Sequence, residues 1–208
     1  MPAGLKLDKD IKKVSYVGIE GRANMKPTEI LRKEHDDIKI MLEIFERLVY
    51  KLEATEGASL EHVELALNYL ELYVGKCHFG KEEELFFPAL EKIGIPKDGG
   101  PLGAMIQEHD SCRSNMKEMR MWFEKYKAGD HTVANNIVKP GHKYVITLKG
   151  HFDTETNILF PMADKGLLAG KQEELAAKFG QYEITKLGAG THETLTQSLQ
   201  QLKGIYLV

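Results

Sequence analysis

Cysteine is scarce in this chain. Cys77 and Cys112 are the only two among 208 residues, so at most one bridge is available and no disulfide framework can hold the fold. An excess of charge of one sign is also missing: 28 Lys+Arg stand against 31 Asp+Glu. Without a basic field there is no electrostatic footprint for nucleic acid. No segment reaches the roughly 20 apolar residues of a membrane span. Met1 to Val14 interleaves Lys6, Asp8, Lys9, Asp10, Lys12 and Lys13 with its apolar residues and lacks the apolar stretch of a secretory signal. Few cysteines and no signal together make the reducing cytoplasm the expected location. What is present is 42% hydrophobic and 28% charged residues. That is material for a folded core and excludes a disordered chain.

Proline is sparse, and several of the 7 fall where helices begin or end. Pro27 stands at the first turn of a helix running to about Glu53, with Ile30, Leu31, Ile38, Met41, Leu42, Phe45 and Leu48 on one face. Ser59 caps a second helix, through Val63, Ala66, Leu67, Leu70 and Val74 to about Phe87, where Pro88 is expected to stop it. Pro101 opens a third, reaching about Lys127 with Gly129 just beyond its end. A fourth ends at about Phe160 before Pro161, and Pro140-Gly141 must kink it or delay its start. Shorter helices are expected near Lys171–Phe179 and Thr191–Ile205, separated by Gly188 and Gly190. The fold expected is all-α: an up-down-up-down four-helix bundle over residues 27–163. An N-terminal arm, residues 1–26, precedes it and contains the Val14–Ile19 run, and a C-terminal helical appendage, residues 164–208, packs on the bundle.

The second half of the bundle repeats the first, and the repeat carries chemistry. Glu34-His35-Asp36 recurs as Glu108-His109-Asp110, and His78-Phe79-Gly80-Lys81-Glu82 recurs as His151-Phe152-Asp153-Thr154-Glu155. Residues four apart share a helix face, so His78 with Glu82, and His151 with Glu155, each present an imidazole and a carboxylate in one direction. His35 and His109 each lie eight residues past a helix-opening proline, and His78 and His151 each lie ten before Pro88 and Pro161. At about 1.5 Å per residue, all four imidazoles fall at one level of an antiparallel bundle. Four imidazoles and two carboxylates at one level suit two metal ions, each taking two His, with Glu82 and Glu155 bridging them at a separation of about 3.5–4 Å. The donor set suits iron, manganese or zinc. The competing account is a metal-free polar core, with Arg113 neutralising a glutamate.

At these residues the chain resembles the hemerythrin-like HHE cation-binding family, over about residues 27–163. Within it the pattern of lone His, His-x-x-x-Glu, lone His and His-x-x-x-Glu is most similar to the proteins that repair iron centres after nitrosative or oxidative stress. The resemblance implies a four-helix bundle with a non-haem di-iron centre, oxo- or hydroxo-bridged. His35, His78, His109 and His151 would be terminal ligands and Glu82 and Glu155 the bridges. It implies reaction with oxygen, nitric oxide or peroxide, as a sensor or store, as an enzyme that reduces nitric oxide or peroxide or oxidises ferrous iron, or as a donor of iron to an acceptor protein. Oxygen-carrying hemerythrins have a further His where this chain has Arg113, and an Asp where position 156 is Thr. Reversible oxygen carriage is therefore disfavoured. The paired cysteines of the repair proteins' N-terminal extension have no counterpart in residues 1–26.

The remaining candidates read as follows. His62, His131, His142 and His192 are expected at the surface or in loops, Tyr144 in the core and Cys112 as inert packing. Glu34 and Glu108 either orient imidazoles or are solvated first-turn carboxylates. Glu83 and Glu84 are expected to turn away from the ligand face and only add charge.

Overall fold

The computed structural model describes residues 25–54, 56–188 and 190–207; the expected Val14–Ile19 run lies outside them. Six helices and no strands are present among the described residues. Helix α1 is Pro27–Glu53, opened by Pro27 and by a backbone bond from Lys26 N–H to the Glu29 carboxylate at 2.8 Å. Helix α2 runs without a break from Leu60 to Lys92, with Ser59 accepting from the His62 N–H at its start. Helix α3 is Pro101–Lys127, and Gly129, at φ 101°, takes the left-handed conformation that closes its end. Helix α4 runs from Ala134 to Gly166. Helix α5, Ala169–Leu187, and helix α6, Thr191–Tyr206, follow. Among the described residues no helix is long and apolar enough to cross a membrane.

Two expectations about proline are corrected. Pro88 and Pro161 do not stop their helices, which continue to Lys92 and Gly166. Each follows a π-helical turn, Glu82–Phe86 and Glu155–Leu159, closed by a bond from Phe87 N–H to the Glu82 carbonyl and from Phe160 N–H to the Glu155 carbonyl. A proline clashes with the carbonyl four residues back and lacks an N–H. Where a widened turn is changing register, that hydrogen bond is already displaced and the ring is accommodated. Pro140 likewise lies inside α4, which starts six residues before it rather than after it. The neighbouring Gly141 has Val49, Phe45 and Met119 packed against it, so the proline falls where α4 approaches α1 and α3 closely. α5 also runs eight residues past the expected Phe179, because Tyr182 and Glu183 are buried against the bundle.

The buried side chains form two apolar clusters. The smaller takes Ile30 and Leu31 from the start of α1, Phe86 and Leu90 from the end of α2, and Leu102 and Met105 from the start of α3. It also takes Leu159 and Phe160 from the end of α4. Starts packed with ends make the four helices antiparallel, as expected. The larger holds the remainder of the same helices, including Phe45, Tyr69, Phe123 and Leu148. Leu175 and Phe179 of α5 belong to the smaller cluster, and Leu195, Leu199 and Leu202 of α6 to the larger. On all four bundle helices the two clusters are separated by one polar layer. It contains His35, His78, Glu82, His109, His151 and Glu155, all at most 1% exposed.

Candidate metal centre

The helical repeat delivers each residue to that layer. His35 and His109 project from the early turns of α1 and α3, and the two His-x-x-x-Glu pairs from the late turns of α2 and α4. Both carboxylates begin a π-helical turn, and in α2 a longer π-helical stretch, Leu70–His78, comes just before and ends on His78. Widened turns of this kind are often found at functional sites.

The six side chains meet. Glu82 sets one oxygen 3.3 Å from His78 Nε2 and the other 3.2 Å from His109 Nε2. Glu155 sets Oε2 3.1 Å from His35 Nε2 and 3.3 Å from His151 Nε2. Each carboxylate therefore faces one imidazole from each half of the chain. Two groups of donor atoms, each within 4.8 Å of one another, are dense enough to hold a metal ion: His35, His78, Glu82 and Glu155, and Glu82, His109 and His151. Glu82 is common to both.

The donor atoms are also unsatisfied. His35 Nε2, His78 Nε2 and all four oxygens of Glu82 and Glu155 are buried and make no hydrogen bond of acceptable geometry, despite their close approach. Buried polar atoms are seldom left so, because each costs about 1–3 kcal/mol. Six of them converging on one point is what a set of metal ligands looks like, and it counts against a self-satisfied polar core.

Around the ring Nδ1 atoms the structure distributes carboxylates. His78 donates to Glu34 at 2.9 Å, His151 to Glu108 at 3.0 Å and His109 to Glu83 at 2.6 Å. Of the two alternatives for Glu34 and Glu108, the orienting one is observed. The expectation that Glu83 only adds charge is overturned, since it anchors His109 and is itself held by Arg113 at 2.8 Å. Glu84 does turn away, to Tyr182 and Lys186. Arg113 thus touches the layer through Glu83 and, lying over the Phe79 ring, through a face contact. Lys81, which the sequence pattern did not single out, is buried and binds Glu34 and Glu183. A long cation within a buried glutamate-rich turn is its only sequence signal. The rings are clamped by aromatics: Phe79 stacks on His109 at 3.8 Å and Phe152 on His35 at 4.0 Å.

Without metal the charges are divided unevenly. Burial pushes His78 and His109 down to about 4, against their carboxylate partners, which leaves both neutral. Burial also opposes charge on His151, but Glu155 and Glu108 outweigh it and raise that ring to about 9. Burial and the nearby Glu155 push Glu82 well up. Glu155 is held down by His151 and His35, despite its own burial. A protonated His151 then donates to His109, Nε2 to Nε2, at 3.1 Å.

The other candidates lie elsewhere. His131 and His142 are exposed and His62 and His192 half-buried, none of them in the layer. Tyr144 is buried and donates to the Leu70 carbonyl at 3.4 Å. Cys77 and Cys112 are buried thiols that no disulfide joins. An open cavity of about 450 Å³ between α2, α3 and α4 has Phe79, Cys112, Arg113, Met116 and Tyr144 in its lining, and Phe79 is the ring stacked on His109.

No curated protein shows significant similarity to this sequence. A family model, the hemerythrin HHE cation-binding domain, matches residues 26–163. The match spans the four bundle helices and every residue of the polar layer, and the chain belongs to the hemerythrin HHE cation-binding family.

Proposed function

We propose that this protein holds two non-haem iron ions, one between His35 and His78 and the other between His109 and His151, with Glu82 and Glu155 bridging them. The observation that carries the reading is that each carboxylate lies against one imidazole from each half of the chain. A single closed tetrahedral site would not need both carboxylates to span the repeat. Held by these six groups, the pair would supply binding of, and electron transfer to, a small diatomic or peroxide.

The protein's own part is to hold and exclude. Glu34, Glu83 and Glu108 fix three imidazoles with Nε2 directed inward, which sets the tautomer that ligation needs. Phe79 and Phe152 cover the rings and keep bulk water out of the layer. The cavity lined in part by Phe79 brings a ligand of a few atoms, oxygen, nitric oxide or peroxide, to within one ring of His109. Arg113 occupies the place of an oxygen carrier's additional His and is engaged by Glu83, so it adds no ligand and favours reaction over reversible oxygen carriage. A response to nitrosative or oxidative stress in the cytoplasm fits this chemistry and the two buried thiols.

Metal analysis of protein expressed in iron-replete medium, with visible spectra of the oxidised, reduced and nitric-oxide-treated forms, tests the reading. Two irons per chain and a spectrum that changes with nitric oxide are expected. Glu82→Ala or Glu155→Ala should lose metal and the spectrum of the pair. One zinc, no metal, or full iron content in both variants would overturn it.

A further inference from the structure

Helix α5 lies outside the matched residues 26–163, yet it docks on the turn of α2 that carries His78 and Glu82. Three contacts make the junction. The Tyr182 hydroxyl occupies the space a Cβ on residue 80 would need, so only glycine fits there. Tyr182 and Lys186 both bind Glu84, at 2.8 and 3.0 Å. Glu183 accepts from Lys81 Nζ at 2.8 Å.

The last contact leads inward. Lys81 is 1% exposed and also binds Glu34 Oε1, while Glu34 Oε2 takes the Nδ1–H of His78 at 2.9 Å. One carboxylate therefore has one oxygen on the ammonium and the other on an imidazole of the centre. The chain of contacts runs from α5 through α2 and α1 to His78 without an exposed link. Its counterpart in the second repeat is absent: position 154 is Thr, and it bonds only to the Gly150 carbonyl of its own helix. Glu108, the equivalent of Glu34, is a third exposed, at 34%. The repeat is thus broken at the residue that fixes Glu34.

Resting on the metal reading above, we propose that Glu183 and Lys81 are positioning residues for the first metal. Through Glu34 they hold His78 in its ligating orientation, which makes α5 a working part of the centre. Breaking a contact that orients a ligating histidine commonly costs 10–100-fold in metal affinity. Removing Lys81 would also take away the cation that Glu34 and Glu183 share.

The test is the release of iron from the loaded full-length protein to excess chelator, read from the absorbance of the chelate. Lys81→Met and Glu183→Ala should release one iron per chain about tenfold faster or more, with the second iron unchanged. Glu183→Gln, which keeps a carbonyl to accept from Lys81, should stay close to wild type. Leu175→Ala, in the same helix but packed only in the smaller apolar cluster, controls for loss of stability. It should lower the unfolding temperature without accelerating release. Wild-type kinetics for both irons in Lys81→Met and Glu183→Ala would overturn the proposal. So would equal acceleration by Leu175→Ala or by Glu183→Gln. A wild-type chain that takes up no iron would instead overturn the metal reading, and this inference with it.

Discussion

Around the four imidazoles, three ring Nδ1–H groups end on carboxylates and one does not. His35 Nδ1 has no hydrogen-bond partner, because the position equivalent to Glu83 in the second repeat is Thr156. Losing Glu83 should therefore matter where losing Thr156 does not. Glu83→Ala is expected to weaken metal binding about 10–100-fold at one of the two ions, measured by competition against a chelator, whereas Thr156→Ala leaves the affinity unchanged. The six residues of the layer were legible from sequence because duplication marks them twice, in type, order and distance from a proline. Glu83 and Lys81 were not, because each is one step off the ligand face of its own helix. Their partners, His109 and Glu183, sit on other helices, and a pattern along one helix does not show which neighbour lies across from it. Cys112 carries a residue-scale expectation of its own. Burial and the nearby Glu108 push its thiol up to about 12, so its thiolate fraction at pH 8 is about a thousandfold below that of an ordinary cysteine. Native protein should resist alkylation at Cys112, and denatured protein should react at once, as mass spectrometry of the labelled peptides would show.

The helices themselves were legible to within a few residues at their starts, where Pro27, Ser59 and Pro101 act through local chemistry. Their ends were read too early at Pro88 and Pro161, since a π-helical turn has no signature in apolar spacing. It is stabilised here by what the turn places in the core. The helix expected near Lys171–Phe179 is longer for a related reason: Tyr182 and Glu183 find partners on α2, which lie on another helix and leave no pattern along this one. The α2–α5 junction turns on Gly80, whose missing side chain is the space filled by the Tyr182 hydroxyl. Gly80→Ala gains helix propensity, worth about 1 kcal/mol at most, but must displace Tyr182 from Glu84. Overpacking of this kind costs about 1–3 kcal/mol, so a net loss of stability is expected by chemical denaturation. Tyr182→Phe removes the hydroxyl and should reduce the penalty of a second change at Gly80. A double-mutant cycle with no coupling between the two positions would show that the junction is not set by this contact.

For the molecule as a whole, the polar layer interrupts an otherwise continuous apolar core, and its protonation links folding to pH. In metal-free protein His78 and His109 are held near 4, so between about pH 4.5 and 6.5 the unfolded chain binds two more protons at these positions. Glu82, pushed up by burial and by the nearby Glu155, works the other way. Two histidines outweigh the one carboxylate, so stability should fall on acidification through this window. Above about pH 6.5 the sign reverses. His151 keeps its proton up to about 9 while an unfolded histidine has lost its own, so that contribution disappears as pH rises through 9. The metal-free protein is thus expected to be most stable near pH 6.5, as urea titrations of chelator-treated protein at a series of pH values would show. Bound metal changes the shape of the curve, because ligation requires His151 and Glu82 to give up their protons. The loaded protein should lose its maximum near pH 6.5, gain stability toward pH 8 and release its ions steeply below pH 6. Superimposable curves for loaded and metal-free protein would mean that the six residues of the layer are not the ligands.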